Sequence, residues 1–372
     1  MLSLLIVIVT TALETSVFAR NTCQDLFVSA RSETTSARRL ESLRLSVGTG
    51  NSLRSLALEH LPAQPGQPTL LMMPGAISPV SAGHPAFKKL AQSGVGLVSF
   101  AYSHQPGSLK AATREAVQAL EQGEVSISGW VAETLTVRDH FARQGVELIP
   151  VSLSFTGAVT PSLQGFNRII EMVPMTSTDA TSATGAAVRD QLKAAAMWNP
   201  FFGQQLVRQQ IDFSYRAYWQ SVVDSLARDP QFPGELRGTL LDQYVRQSQA
   251  IEGFKWDVAS LPRSIQRTFV LAGQESQSLL KHQLQTVVAM IEAGHQPNVV
   301  LVKGVGHNIP SSQPDTYAQL LAWAARDSRL DGLYIFDSAT ARVESIPRAA
   351  MLARLRAWEA SLSSVDREAS LP

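Results

Sequence analysis

The chain has 372 residues, of which 45% are hydrophobic and 17% are charged, and its formal net charge is +1. These proportions allow a sizeable buried core and exclude a predominantly disordered chain. The charges form neither a basic nor an acidic block, which argues against a nucleic-acid-binding protein and against a solvated charged tail. Cys23 is the only cysteine, so no intrachain disulfide can form.

The first 19 residues indicate a targeting segment. They read MLSLLIVIVTTALETSVFA, with an apolar stretch from Leu2 to Leu13 that is too short to span a bilayer comfortably. Val17 and Ala19 stand at the positions that a signal peptidase reads. We therefore predict a signal peptide over residues 1–19 and a periplasmic or secreted protein, with an N-terminal membrane anchor as the alternative. No integral membrane span is expected in the mature chain.

After a polar leader, residues 20–41, which is predicted to be loosely ordered, short apolar runs alternate with segments of helical periodicity. Strands are predicted over residues 42–48, 53–61, 69–74, 95–102, 146–151, 167–175, 267–273 and 298–304. Helices are predicted over residues 84–94, 111–121, 128–145, 279–293 and 315–326. This alternation is typical of a parallel sheet that is covered by helices on both faces.

The alternation breaks between about residues 186 and 260, where no strand-like run occurs and the pattern is helical. Aromatic side chains make up 11 of the 60 residues from 197 to 256, against 7% of the whole chain. Most of them are predicted to form the core of a helical subdomain, and some to face an apolar ligand. The tail is predicted to hold a small hairpin within residues 332–346 and a helix over residues 348–361.

A cluster of small polar residues, SLSFT, follows the predicted strand at residues 146–151. Ser154 lies at its centre, with Ser152 and Thr156 two positions away on either side. A nucleophilic serine needs a sharp turn between a strand and a helix, where the residues two positions away must be small. Ser154 is therefore a candidate nucleophile at the start of a predicted helix. An ordinary Ser/Thr-rich loop is the alternative.

Two further loops could supply the remaining chemistry. A serine hydroxyl needs a base, usually a histidine that is oriented by a carboxylate, and two N–H groups that stabilise the oxyanion. His307 lies in the glycine-rich segment GVGHN after a predicted strand, so it is a candidate base. Phe155 and Ala76 are candidate oxyanion donors, Ala76 because it follows the Pro74-Gly75 pair at the end of an early strand. A surface histidine and a common Pro-Gly turn are the alternatives.

Together these segments resemble the α/β-hydrolase family over about residues 42–326. SLSFTGAV resembles its nucleophile elbow, MMPGA its oxyanion loop and GVGHNIP its histidine loop, and the helical insert lies where the family carries its cap. The resemblance implies an α/β fold: a mostly parallel central sheet with helices on both faces and an inserted helical cap. It divides the chain into a core of residues 42–180 and 263–328, a cap of residues 181–262, and a C-terminal extension of residues 329–372.

The sequence departs from the family in three of its motifs. The elbow reads S-x-S-x-T in place of G-x-S-x-G, and Pro74 occupies a position of the oxyanion loop where histidine is usual. The acid is expected after the strand at residues 267–273, commonly three residues past its glycine, which is Ser276 here. The neighbouring Glu275 is the preferred acid, and Asp179, after the strand at residues 167–175, is the alternative.

The resemblance implies a carboxylesterase- or lipase-like serine hydrolase that uses no metal and no organic cofactor. Ser154 would attack the ester, or amide, carbonyl of a small-molecule substrate with an apolar portion, while His307 acts as base and Glu275 orients it. No nucleic-acid partner is expected, and the sequence does not indicate an oligomeric state. A catalytically inactive binding protein is the alternative, since it would also show an altered elbow and no evident acid. Serine at position 154 disfavours epoxide and haloalkane hydrolysis, which use an aspartate nucleophile.

Overall fold

The computed structural model describes residues 21–22, 38–48, 52–178, 200–226, 232–273, 277–326 and 330–368. The predicted signal peptide and both candidate acids, Glu275 and Asp179, lie outside the described residues. Within the described ranges, no helix is both long enough and apolar enough to cross a membrane.

The described chain is organised around one 11-stranded sheet. Its strands are β1 (Asn21–Thr22), β2 (Glu41–Val47), β3 (Arg54–Leu61), β4 (Thr69–Met72), β5 (Gly96–Ala101), β6 (Leu148–Leu153), β7 (Arg168–Met172), β8 (Gln266–Ala272), β9 (Asn298–Lys303), β10 (Leu333–Asp337) and β11 (Arg342–Ile346). Their order across the sheet is β1-β11-β10-β9-β8-β7-β6-β4-β5-β3-β2. The strands from β10 to β5 in that order are parallel, and the two edges are antiparallel.

The central strands are buried on both faces, as their continuous apolar runs predict. β4 and β5 present only buried residues, and β7 is buried from Ile169 onward. Every predicted strand is confirmed. β6 continues two residues beyond its prediction, to Leu153, so the strand ends directly at Ser154. The predicted tail hairpin is β10 and β11, which extends the sheet, and the short β1 pairs with β11.

The helices are α1 (Pro85–Gln92), α2 (Pro106–Ala111), α3 (Arg114–Gln122), α4 (Ile127–Ala142), α5 (Pro200–Leu226), α6 (Arg237–Ala250), α7 (Gln277–Glu292), α8 (Ile309–Ser312), α9 (Pro314–Arg326) and α10 (Arg348–Glu368). The prediction of one helix over residues 111–121 is wrong at its start. Extended backbone at Ala112 and Thr113 separates α2 from α3. Thr113 is the N-cap of α3, because its hydroxyl accepts a hydrogen bond from the N–H of Ala116.

The connection from β7 to β8 carries α5 and α6, the helical insert that the sequence predicts. Trp219, Phe232 and Tyr244 are buried there against Leu109 and Leu120, so these aromatic residues form core. Phe213 and Tyr218 of α5 are exposed.

The strand order and strand directions are those of the α/β-hydrolase fold, and the predicted fold class is confirmed. In a parallel sheet the carboxyl ends of the strands lie at one edge, where ligands bind in open α/β sheets. The loops that follow β4, β6 and β9 therefore meet at that edge.

Candidate active site

Ser154 and His307 lie in contact at the carboxyl edge of the sheet. The Nε2 atom of His307 is 2.7 Å from the Oγ atom of Ser154, although the two residues are 153 positions apart. The ends of β6 and β9 bring them together. In this arrangement the imidazole can take the hydroxyl proton as the oxygen attacks a carbonyl carbon.

The backbone of Ser154 adopts a left-handed conformation, with φ of 53°. A non-glycine residue rarely adopts positive φ, and strained residues of this kind persist where their surroundings impose them. The carbonyl of Ser154 accepts a hydrogen bond of 2.8 Å from the N–H of Met175. Val173, two residues before Met175, also has positive φ, 41°, and is buried. This hydrogen bond joins two strained turns, one after β6 and one after β7. The backbone turns sharply at Ser154, so its side chain does not continue the strand.

Two buried polar residues occupy the elbow positions that are glycine in the family. Ser152 donates a hydrogen bond of 2.6 Å to the carboxylate of Glu171. Thr156 accepts a hydrogen bond of 2.8 Å from the N–H of Leu153. Each hydroxyl therefore has a partner. The Thr156 hydroxyl joins the two ends of the turn that contains Ser154.

Glycine is required one position later, at Gly157. A Cβ atom placed there would lie 2.6 Å from the nitrogen and 2.7 Å from the oxygen of Met175, too close for any side chain. The turn after β7 therefore packs directly against the backbone of the elbow. The steric requirement for glycine therefore lies one position beyond the motif, so a search for G-x-S-x-G misses it.

The α-helix predicted after Ser154 is wrong in type. The segments Ser154–Ala158 and Thr160–Ser162 are short 3₁₀ helices. Pro161 supplies the reason, because it has no N–H to donate to the carbonyl of Gly157 in an α-helix. That carbonyl instead accepts a hydrogen bond of 2.9 Å from the indole Nε1 of Trp256.

A buried ion pair forms hydrogen bonds with residues on both sides of Ser154. The guanidinium of Arg267 on β8 donates to the carboxylate of Glu171 on β7 and, over 2.9 Å, to the carbonyl of Thr160. Glu171 also accepts from Ser152 and Thr160, and Arg267 lies 5.2 Å from the centre of a ring of Trp256. Burial raises the pKa of Glu171 and lowers the pKa of Arg267, while their attraction opposes both shifts.

Sequence reasoning missed this pair. The available signal was a charged residue next to the apolar run of each of two strands, Glu171 in RIIEM of β7 and Arg267 in QRTFVLA of β8. Charged residues are almost never fully buried unless they are paired, so two of them in neighbouring strands would have predicted the contact.

The candidate oxyanion donors, Ala76 and Phe155, belong to the loop after β4 and to the turn after β6. The N–H of Met73 donates over 3.0 Å to the carbonyl of Val151, which holds the loop after β4 beside the end of β6. Ala76 belongs to that loop, and Phe155 directly follows Ser154. The ring of Phe155 is buried edge-on against Trp130, with centroids 4.8 Å apart, and this contact anchors the peptide that carries its N–H.

Both candidate acids, Glu275 and Asp179, lie outside the described residues. Each follows a described strand closely. Gly273, two residues before Glu275, donates over 2.8 Å to the carbonyl of Val302 and so ties the end of β8 to the strand that leads to His307. Thr178 precedes Asp179, and its N–H donates over 2.9 Å to the carbonyl of Phe254.

The described residues contain no group of three or more His, Cys, Asp or Glu side chains that is placed to hold a metal ion. The chemistry that Ser154 and His307 can perform together is nucleophilic attack by the serine hydroxyl as the imidazole takes its proton.

Comparisons with known proteins reach no further than a structural likeness. No family model and no curated protein matches the sequence. Solved structures to which the chain is similar include an α/β-hydrolase enzyme from a Medee basin deep-sea metagenome library, at 11% identity over 75% of this chain and 96% of that one, with a TM-score of 0.47. A carboxyl esterase from Bacillus coagulans has 11% identity over 76% and 96%, with a TM-score of 0.48. An esterase from Pyrobaculum calidifontis has 12% identity over 78% and 86%, with a TM-score of 0.43. Likenesses at this level do not indicate which reaction this chain performs.

Proposed function

We propose that this α/β-hydrolase-fold chain is a serine hydrolase that cleaves carboxylic esters by way of an acyl-enzyme. One observation carries the proposal: the Oγ atom of Ser154, held on a left-handed turn, lies 2.7 Å from the Nε2 atom of His307. A strained serine at the end of a parallel strand, in contact with a histidine from another strand end, is the arrangement that nucleophilic catalysis requires.

The reaction would proceed in two halves. Ser154 Oγ attacks the ester carbonyl while His307 takes its proton, and the N–H groups of Phe155 and Ala76 bind the resulting oxyanion. The tetrahedral intermediate collapses, the C–O bond to the alcohol breaks, and His307 returns the proton to the leaving alcohol. Water then attacks the acyl-enzyme with His307 again as base, which releases the carboxylic acid and restores Ser154.

We propose Glu275 as the carboxylate that orients His307, with Asp179 as the alternative. The acid holds the imidazole in the correct tautomer and stabilises its protonated form, so its loss costs about 10⁴ in kcat in serine proteases. The variants Glu275→Gln and Asp179→Asn separate the two candidates. The acid is the residue whose replacement lowers kcat by several orders of magnitude. Wild-type kcat in both variants would contradict the proposed triad.

The substrate that we propose is a small-molecule ester with an apolar portion. Two aromatic side chains of α5, Phe213 and Tyr218, are exposed on the helical insert that we propose as a cap. Esters and amides use the same machinery, so a panel of both classes decides between them. On the sequence of its first 19 residues, we also propose that the protein is exported, with a membrane anchor as the alternative.

Labelling with a fluorophosphonate probe tests the proposal. We expect the wild-type protein to be labelled at Ser154 and the Ser154→Ala variant to remain unlabelled. The chain offers a matched control, because Ser311 Oγ lies 3.1 Å from His84 Nε2 in a second serine–histidine contact that includes neither Ser154 nor His307. Ser311→Ala should label as the wild type does.

Turnover is measured in parallel on 4-nitrophenyl acetate, butyrate and octanoate. We expect hydrolysis that Ser154→Ala abolishes and Ser311→Ala preserves. Folded wild-type protein that is neither labelled nor active would contradict the proposal and favour a non-catalytic binding protein, for which extraction of bound ligands is the appropriate experiment.

A further inference from the structure

Three successive carbonyl groups of the loop after β4 each accept a hydrogen bond from a buried side chain. Gln105 Nε2 donates to Gly75 over 2.8 Å, and Gln247 Nε2 donates to Ala76 over 3.3 Å. The hydroxyl of Tyr244 donates to Ile77 over 2.6 Å. Gln105 caps α2, whereas Tyr244 and Gln247 belong to α6, so two distant parts of the chain hold the loop.

The first of these hydrogen bonds fixes the direction of the N–H group of Ala76, the candidate oxyanion donor. In a trans peptide the carbonyl of one residue and the N–H of the next point in opposite directions. No peptide bond among the described residues is cis. Because Gln105 binds the carbonyl of Gly75, the N–H of Ala76 must point away from Gln105.

Both glutamine side chains are themselves held at the other end. The Oε1 atom of Gln105 accepts a hydrogen bond of 3.1 Å from the N–H of Tyr102. The Oε1 atom of Gln247 lies 2.6 Å from Nε2 of His104. Since an amide oxygen only accepts, His104 must donate there, which fixes its tautomer as well as the orientation of Gln247.

His104 is in turn held by aromatic rings. It is almost fully buried, stacked on Tyr102 with ring centroids 6.0 Å apart and close to Trp130 at 5.7 Å. A buried polar side chain with every neighbour fixed has one low-energy orientation. The donor of His104 therefore remains directed at Gln247.

We propose that Gln105 and Gln247 are positioning residues that hold the Gly75–Ala76–Ile77 segment with the Ala76 N–H directed at the oxyanion, and that His104 orients Gln247. This inference rests on the proposed serine hydrolase function. In this proposal the three side chains act without contact with the substrate. Each acts through the backbone of the loop.

The expected effect is on the transition state. Without Gln105, the Gly75–Ala76 peptide can rotate and present a carbonyl oxygen where the negative charge develops. Without Gln247, the Ala76–Ile77 peptide on the other side of Ala76 loses its donor. Removing one oxyanion donor costs about 10²–10³ in kcat in well-studied enzymes, so a loosened donor should cost about 10–100-fold. Binding of the uncharged ester should change little, and KM with it.

The variants Gln105→Met and Gln247→Met test the proposal, because methionine keeps the length of the side chain but removes the donor. We expect kcat for 4-nitrophenyl butyrate to fall about 10–100-fold while KM stays within about twofold. Gln243→Met is the matched control. Gln243 is equally buried, one turn earlier on α6, and donates to Leu120 rather than to the loop. Its variant should keep the wild-type kcat.

Two variants of His104 separate positioning from packing. In His104→Gln, the amide nitrogen can replace Nε2 as donor to Gln247, so kcat should recover to within a few-fold of the wild type. In His104→Phe, the ring remains but the donor is lost, and kcat should fall as it does in Gln247→Met. Stoichiometric labelling with fluorophosphonate counts the folded active sites, so that every kcat refers to competent enzyme.

The outcomes distinguish the two levels of the proposal. An active wild type with unchanged kcat in both glutamine variants overturns the inference and leaves the serine hydrolase function intact. An equal loss in Gln243→Met assigns the effect to packing of α6 and also overturns it. A wild type without Ser154-dependent activity overturns both. Crystal structures of the two methionine variants that show the Gly75 carbonyl turned from its wild-type direction would support the inference independently of rate.

Discussion

Replacement of Arg267 by methionine should be among the most destabilising substitutions in the chain. The side chains of Arg267 and Glu171 are 1% and 0% exposed, so neither charge reaches water. Methionine fills similar volume but leaves the carboxylate of Glu171 buried without its cation, and breaking a buried pair in this way costs about 3–5 kcal/mol. The lost hydrogen bond to the carbonyl of Thr160 adds about 1 kcal/mol.

The free energy of unfolding from urea denaturation measures this loss. The double variant Glu171→Gln/Arg267→Met should recover about 2 kcal/mol or more of it, because the buried charge is then gone. Glutamine still offers an acceptor to the hydroxyl of Ser152. Arg216→Met is the control, since Arg216 and Asp242 form an ion pair of 2.7 Å with side chains 55% and 52% exposed. A surface pair contributes at most about 1 kcal/mol.

Two results would refute this reasoning. One is a loss in Arg267→Met no larger than that in Arg216→Met. The other is a double variant less stable than Arg267→Met itself, which would mean that the carboxylate contributes through its hydrogen bonds to Ser152 and Thr160 rather than through its charge.

Three further predictions concern pH, sterics and the brace of the elbow. Burial lowers the pKa of His104 from 6.5 to about 4. The unfolded chain therefore binds a proton between these values that the folded chain does not, so stability is full above pH 6.5 and falls by about 3 kcal/mol on the way to pH 4. Urea midpoints across this range should fall less in His104→Gln, and parallel curves would contradict the assignment. Gly157→Ala places a methyl group 2.6 Å from the nitrogen of Met175, and should destabilise the protein by about 1–3 kcal/mol and lower kcat. A variant with the urea midpoint and the kcat of the wild type would show that this contact is not tight. Thr156→Val leaves the partly buried N–H of Leu153 without its acceptor, at a cost of about 1–3 kcal/mol in urea denaturation, whereas Thr156→Ser should stay within about 1 kcal/mol of the wild type. Equal losses in the two variants would show that the Thr156 hydroxyl does not stabilise the turn.

The central strands were predictable because each contains a short apolar run that is buried on both faces. The edge strands β2 and β3 were predictable because their apolar and polar residues alternate. The Ser154–His307 contact was predictable for a related reason. Both residues follow such runs directly, and parallel strands deliver the residues after them to one edge. The same argument predicts that Ala76, which follows β4, lies at that edge. Order along the chain was therefore enough to bring Ser154 and His307 together.

The supporting contacts were not predictable, because they join residues that are distant in sequence and ordinary in type. Gln105 and Gln247 carry no local signal, since only the fold brings their amides to the loop after β4. The break at Ala112 could have been found, because the Thr113 that follows it is a favourable N-cap. The 3₁₀ turn after Ser154 also had a signal in Pro161, which the resemblance to a helix-starting elbow obscured.

Tyr244 and Gln247 give the insert between β7 and β8 a role that such segments do not usually have. Connections of this kind are ordinarily the most freely exchanged parts of a fold. In this chain, a graft that replaced the insert with one from another hydrolase would remove two of the three donors to the loop at residues 75–77, whatever substrate the new segment accepted. The insert is therefore not an interchangeable module, and chimeras that keep α6 and exchange α5 are the ones expected to change selectivity without a loss of turnover.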